Sequence, residues 1–315
     1  MKIVYFFTFC FWYLLSLLPL GILYLFSNLL YYPLYYCIRY RRHIVRKNLI
    51  GSFPEKDLKE IIGIEKKFYQ FFCDYVVETI KLFTISKKQL MNRMTFEGID
   101  VITSEMEKND KDLCFVYLGH YGNWEWIASL AYWTPDDFLC AQIYHPLRNK
   151  AFDKLFLNLR NQFGGECIPM KVTLRRILEL KKARQKTIIG FISDQLPKWS
   201  SIHHFTPFLH RETATFTGTE QMGKKFGAII YYAEVTRPKR GYYHCTFKKL
   251  VENPSALPDF EITDNYASRL EEMIQKTPYL WLWSHDRWKR TKEEYERRQR
   301  AVSYTHLRAH ETLRH

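Results

Sequence analysis

No Gly-x-Ser-x-Gly stretch occurs in the 315 residues, so the chain lacks the nucleophile elbow of a serine hydrolase. His-Glu-x-x-His is missing as well, and the adjacent His203 and His204 do not supply that zinc spacing. The seven cysteines (Cys10, Cys37, Cys73, Cys114, Cys140, Cys167 and Cys245) are odd in number, scattered, and form no Cys-x-x-Cys pair. That distribution excludes a disulfide scaffold, fits a reducing compartment and offers no metal-ligand spacing, so no metal site is expected. Internal repeats and low-complexity linkers are lacking too, which leaves one sizeable body rather than an array.

The most conspicuous absence is of charge, since none falls between Ile3 and Ile38, where Phe, Leu, Trp, Ile and Tyr dominate. The stretch exceeds the ~20 helical residues that cross a bilayer. It is too long, and lacks the small-residue cleavage site, for a signal peptide. It is therefore expected to be a single-pass anchor over 1–38. Pro19 and Pro33 would divide it into a spanning and an interfacial part, with Tyr31, Tyr32, Tyr35 and Tyr36 near the headgroups. Arg39, Arg41, Arg42, Arg46 and Lys47 follow, whereas only Lys2 precedes the run. The positive-inside rule thus places the remainder on the cytoplasmic side of the membrane.

Acidic residues are the minority elsewhere: 33 Asp and Glu against 47 Lys and Arg give a net charge of +14. Such an excess suits anionic partners such as phospholipid headgroups, a phosphorylated glycolipid or an acidic carrier protein. The 17% aromatic content suits a body resting at a lipid boundary. A cytoplasmic domain is expected over 39–296, beginning with a covering helix from Ser52 to about Glu78, with Ser52 and Glu55 as its capping box. Apolar runs at Leu113 to Leu118, Thr187 to Ile192, Ala228 to Val235 and Tyr242 to Phe247 read as strands separated by helical patterns. The predicted class is α/β, with a central mixed or mostly parallel sheet flanked by helices.

The first of these strands runs into Gly119-His120-Tyr121-Gly122-Asn123-Trp124-Glu125. His120 thus lies just past a strand end, where ligands of open α/β sheets bind, in a loop whose glycines permit tight turning. Five residues do not place His120 and Glu125 on one helix face, but a loop leading into a helix can fold the carboxylate back onto the imidazole. An imidazole oriented by a carboxylate is a general base suited to neutral pH. A structural turn histidine followed by an ordinary first-turn acid is the plainer alternative.

His120-Tyr-Gly-Asn-Trp-Glu125 resembles the His-x4-Asp/Glu motif of the lysophospholipid acyltransferase superfamily, in the context of its bacterial lipid A biosynthesis branch, the lauroyl and myristoyl transferases. Further blocks follow in that family's order: Tyr144-His145-Pro146-Leu147-Arg148-Asn149 leading to Arg160, Ser193-Asp194-Gln195-Leu196-Pro197, Phe208 to Ala214, and Trp281 to Trp288. The resemblance covers residues 1 to 290 or so. It implies transfer of an acyl chain from an acyl thioester, on acyl carrier protein or coenzyme A, to a hydroxyl. His120 would be the base, with Glu125 orienting it, and no cofactor is implied. Arg160 would bind phosphate or stabilise the oxyanion, or else be a solvated charge at a helix end. Asn123 would stand on the substrate side. Asp194 and Gln195 would line the pocket or mark a turn, with Arg211, Glu212 and Thr213 as second-rank candidates beside His210, where relatives carry a smaller residue. Lipid A precursors, lysophospholipids and amino-acid lipids all present an acceptor hydroxyl near an anionic headgroup, and membrane lipids rather than nucleic acid are the expected surroundings. A catalytically silent lipid-binding or scaffold protein of the same membrane would use the same anchor and basic surface without the His and Glu pair.

The tail, 297–315, differs from the rest: from Val302 onward it resembles a translated sequencing-adapter fragment, so no function is assigned to His306, His310 or His315.

Overall fold

The computed structural model describes residues 2–301. The tail from Val302, read above as adapter-derived, lies outside them. The chain opens with α1 (Lys2–Leu17) and α2 (Leu20–Tyr32), then a π-helical stretch Pro33–Ile38. No single helix is long and apolar enough to cross a membrane; Phe6–Leu17 and Leu20–Ile38 pass that test only as a pair, bent by 120°. The charge-free run is thus broken at Pro19, one of the two prolines expected to divide it; Pro19, at the start of α2 with ψ 144°, is where the helix ladder stops.

α3 (Arg42–Ser52) and α4 (Leu58–Lys81) follow. The expected capping box at Ser52 is displaced: Ser52 ends α3, and Phe53, restricted by Pro54, leaves the helix with φ −135° and ψ 65°. Asp57 and Glu60 form the capping box instead, with Asp57 accepting from the Glu60 amide at 2.8 Å.

Then come α5 (Lys87–Met91), β1 (Met94–Glu97), α6 (Ile99–Lys108), β2 (Leu113–Leu118), α7 (Trp124–Ile127), β3 (Leu139–Tyr144), α8 (Lys150–Asn161) and β4 (Glu166–Pro169). The chain continues with α9 (Thr173–Lys182), β5 (Thr187–Ile192), β6 (Phe205–Phe208), β7 (Arg211–Ala214), α10 (Gly218–Phe226), β8 (Ile229–Lys239), β9 (Tyr242–Val251) and α11 (Glu261–Lys276).

Seven strands form one sheet in the order β1-β9-β8-β2-β5-β3-β4, parallel throughout except for the antiparallel β8–β9 pair. β6 and β7 make a separate antiparallel hairpin. The α/β class with a mostly parallel mixed sheet is as the sequence reading has it. β2 is buried along its whole length because it is central, paired with β5 on one side and β8 on the other. Its side chains alternate between two core layers: Leu113 and Phe115 pack with Ile177, Leu180 and Phe226 of α9 and α10, while Cys114, Val116 and Leu118 join the larger layer that includes α4 and α11.

Candidate functional site

β2 and β5 run side by side with Leu118 opposite Ile192, so both chains leave the sheet at the same edge. The residues just beyond, His120 after β2 and Asp194 after β5, therefore meet although 74 positions separate them. His120 Nδ1 lies 2.6 Å from Asp194 Oδ1, and the His120 amide donates to Asp194 Oδ2 at 2.8 Å. A third donor, Trp281 Nε1, reaches the same Oδ2 at 2.7 Å. Burial pushes the Asp194 carboxyl up, but the neighbouring imidazole charge and these hydrogen bonds bring it down to about 2. An ionised carboxylate only accepts, so Nδ1 is the donor to Asp194, and whenever the imidazole is neutral the lone pair is on Nε2.

Two glycines shape the loop. Gly122 sits at φ +61°, and a Cβ at Gly119 would come within 2.8 Å of Leu270 Cδ1. The segment after α11 holds the loop from outside: the Leu282 amide donates to His120 O at 3.0 Å, and the Gly122 amide donates to Leu280 O at 3.0 Å. The Trp281-Leu282 block is thus the clamp on the histidine loop.

Glu125 is not the partner of the imidazole. It lies in the first turn of α7, buried, and its two oxygens accept a bidentate fork from Arg160 of α8, Nη2 at 2.7 Å and Nε at 2.8 Å. The planar guanidinium matches a carboxylate better than an imidazole edge does, and Nδ1 is already taken by Asp194. The pairing holds the Arg160 guanidinium well above its ordinary range despite burial.

His120, Glu125, Arg160 and Gln195 all line one cavity of about 1200 Å³ at the carboxyl edge of the sheet. Gln195 Nε2 stands 3.4 Å from His120 Nε2. Deeper walls come from Leu118, Val116, Ile188, Leu130, Ala233 and Phe247, all apolar, whereas the exposed Lys171 and Lys198 stand at the rim. Trp124, edge-on to His120 with ring centroids 5.1 Å apart, stacks in turn on Tyr75 at 4.2 Å.

Other sequence candidates are not brought to this cavity. Asn123 is fully buried, caps α7 by accepting from the Trp126 amide, and donates to Glu78 Oε2 at 2.8 Å. Arg211 lies over the Trp288 ring at 3.3 Å and donates to Asn48 O at 3.0 Å; burial and the nearby Arg287 push it down to about 10. Thr213 accepts from Trp288 Nε1 at 2.8 Å, and the exposed Glu212 pairs with Lys292. These three fasten the β6–β7 hairpin rather than face the cavity.

Residues that the sequence reading missed include Glu78, which accepts from Tyr24, Asn123 and Tyr243 at 2.8 to 2.9 Å, and whose burial raises its carboxyl. His285, inside the Trp281 to Trp288 block but given no role there, is half-buried and pushed down to about 4, and its Nε2 accepts from the Leu196 amide at 3.1 Å, steadying the strand exit that carries Asp194. The partners of their side chains are all remote in sequence, so no local pattern announces these roles. Among the described residues no group of three or more His, Cys, Asp or Glu side chains is placed to hold a metal ion.

A histidine with a fixed tautomer over a deep apolar cavity can deprotonate a hydroxyl beside an acyl chain. Residues 1–290 match the family model described as bacterial lipid A biosynthesis acyltransferase. The chain belongs to this family. A comparison with curated proteins finds no individual relative that matches. As a member of this acyltransferase family, the protein is an enzyme of acyl transfer, with an acyl donor and a lipid A precursor as the family's substrates.

Proposed function

We propose that the protein moves a fatty acyl chain from an acyl thioester to a hydroxyl of a lipid A precursor, at the cytoplasmic face of a bacterial inner membrane. The observation that carries this reading is His120: its Nδ1 is pinned by Asp194, while the ring lines the apolar cavity with only a long 3.4 Å contact from Gln195 at Nε2.

In this reading Nε2 takes the proton of the acceptor hydroxyl as the oxygen attacks the thioester carbonyl. The new C–O bond forms, the tetrahedral centre collapses, the C–S bond breaks, and the leaving thiolate recovers the proton from Nε2. Asp194 fixes the tautomer and stabilises the imidazolium that forms. Glu125 holds Arg160 at the cavity wall, where its positive charge faces the developing oxyanion or an acceptor phosphate. Gln195 is the nearest polar side chain to Nε2 and contributes to orienting the hydroxyl. The acyl chain lies along Leu118, Val116 and Gly190, running down β2 and β5 from the histidine. From His120 to Val116 this path is about 13 Å at ~3.3 Å per strand residue. Lys171 and Lys198 at the rim favour a donor with an anionic arm, a feature shared by carrier-protein and coenzyme A thioesters.

The test is lipid mass spectrometry of a host expressing the full-length enzyme or its His120→Ala variant. The reading expects a lipid A species heavier by one acyl chain with the active enzyme and none with the variant. Equal lipid profiles would refute it. Purified enzyme offered acyl carrier protein and coenzyme A thioesters in parallel then identifies the donor.

A further inference from the structure

α1 and α2 each have two apolar faces with different fates. Inward, Leu20, Leu23, Tyr31 and Tyr35 of the α2 stretch are buried in the main core, and Trp12 of α1 meets Phe83 at 6.4 Å and Phe152 at 5.8 Å. Outward, Phe7, Phe11 and Leu14 on α1 and Leu25, Phe26 and Leu29 on α2 are about half to two-thirds exposed. Their spacings of three and four make one stripe on each helix. Among the described residues no element covers these stripes, and no charged residue interrupts them.

The bend between the helices is fastened to the body. Lys81 at the end of α4 donates its ammonium to Ser16 O at 2.7 Å and Leu18 O at 3.0 Å, and the Thr84 hydroxyl also donates to Ser16 O. These are the carbonyls that the last turn of α1 leaves unpaired, and a cation is the partner a helix carboxyl end favours. α2 is tied independently, through Ser27 to Asp74 at 2.6 Å and Tyr24 to Glu78 at 2.9 Å. Straightening the pair into one rod would strip Lys81 of both carbonyls and pull Trp12 off Phe83 and Phe152. The first arm is short: sixteen residues of α1 rise about 24 Å, below the ~30 Å hydrocarbon core. Immediately after the second arm, Arg39, Arg41, His43 and Lys47 are exposed, a basic edge where headgroups would lie.

We infer that α1 and α2 form a monotopic docking face seated in a single leaflet of an anionic bilayer, the bend at Leu18 and Pro19 being held by Lys81 and Thr84, so that the amino-terminal end of α1 stays on the same side as the catalytic domain. The apolar stripes enter the acyl region of that leaflet, and the basic edge meets its phosphates. Because α1 also packs on α8, which carries Arg160, the docking face adjoins the cavity wall, and a lipid acceptor reaches it without crossing the bilayer.

The test uses the full chain in bacterial membrane vesicles, with one protease-cleavable tag before Met1 and a second after the last residue. Both tags are expected to be cut in inverted vesicles and neither in right-side-out vesicles. An amino-terminal tag cut in right-side-out vesicles, or cut in both kinds, overturns the inference. In phosphatidylethanolamine and phosphatidylglycerol vesicles, the triple variant Leu25→Ser, Phe26→Ser, Leu29→Ser is expected to lower the bound fraction at least tenfold. An unchanged bound fraction, or complete release of the unaltered protein by 1 M salt, would contradict docking through the stripes. Neither readout depends on acyl transfer, so the inference and the proposed function fail separately.

Discussion

Two buried carboxylates flank the His120 loop, and they differ in what each has been given to hold. On the β5 side Asp194 meets the imidazole, a group that must gain and lose a proton; on the α8 side Glu125 meets Arg160, a group that never does. The first pairing is suited to chemistry because its strength changes with the protonation of its partner. The second is suited to architecture, because a bidentate fork fixes a helix and a wall charge permanently. Chain spacing alone makes Glu125, five residues from His120, the natural partner. The sheet gives that place to a residue 74 positions away, because parallel strands β2 and β5 end together.

Removing the base should have the largest effect. His120→Ala is expected to reduce kcat by about 10²–10⁴-fold, the usual reach of general base catalysis, measured with purified enzyme and an acyl thioester. Retained turnover would show that neither carboxylate serves an imidazole base.

Breaking the other side should read out first in stability. Glu125→Ala leaves the half-buried Arg160 guanidinium without its partner, and unfolding is expected to become easier by about 3 kcal/mol. Removing both charges, with Glu125→Ala and Arg160→Met together, should restore most of that loss. Additive losses in denaturant titrations of the two single variants and the double variant would mean that the fork is not a coupled unit.

A smaller effect concerns acid. His285 is pushed down to about 4 by burial, so between its ordinary 6.5 and 4 the unfolded chain binds more protons than the folded one. Stability should therefore fall as pH drops through that window, while Asp194, held down to about 2, stays ionised there. His285→Gln, which can still accept from the Leu196 amide, should flatten this limb of the stability curve. An identical limb in both proteins would remove His285 from the account.

The mildest change touches neither pole. Gly190 lies between Val116 and Gln142 in the sheet and lines the cavity, and a Cβ there would sit 3.5 Å from Leu118 Cδ2, in ordinary contact. Gly190→Val should fold and shift preference toward shorter acyl donors by several-fold, read from competition between thioesters of different length. Unaltered preference would place the acyl chain elsewhere.

What could be read before folding was whatever is local. The unbroken apolar runs of β2 and β5 announced central strands, and a histidine past a strand end flagged the site. β3 and β4 escaped notice because they lie to one side of the sheet and mix Gln142, Glu166 and Cys167 into their pattern, and β4 is only four residues long. Asn123 and Arg211 were legible as polar residues within recognisable blocks, but their partners, Glu78 and Trp288, could not be inferred from those blocks. The charge-free amino-terminal run likewise announced lipid and Pro19 its break, whereas the residues that fasten the bend, Lys81 and Thr84, lie more than sixty positions away.

The central claim is that the imidazole answers to Asp194 and not to Glu125. Its most direct test compares kcat for Asp194→Asn and Glu125→Gln in purified, folded, full-length enzyme with the same thioester and lipid acceptor. The account predicts that Asp194→Asn, which presents the imidazole with the wrong partner, loses at least about 100-fold more activity than Glu125→Gln, which keeps an acceptor for Arg160. The reverse ranking would contradict it.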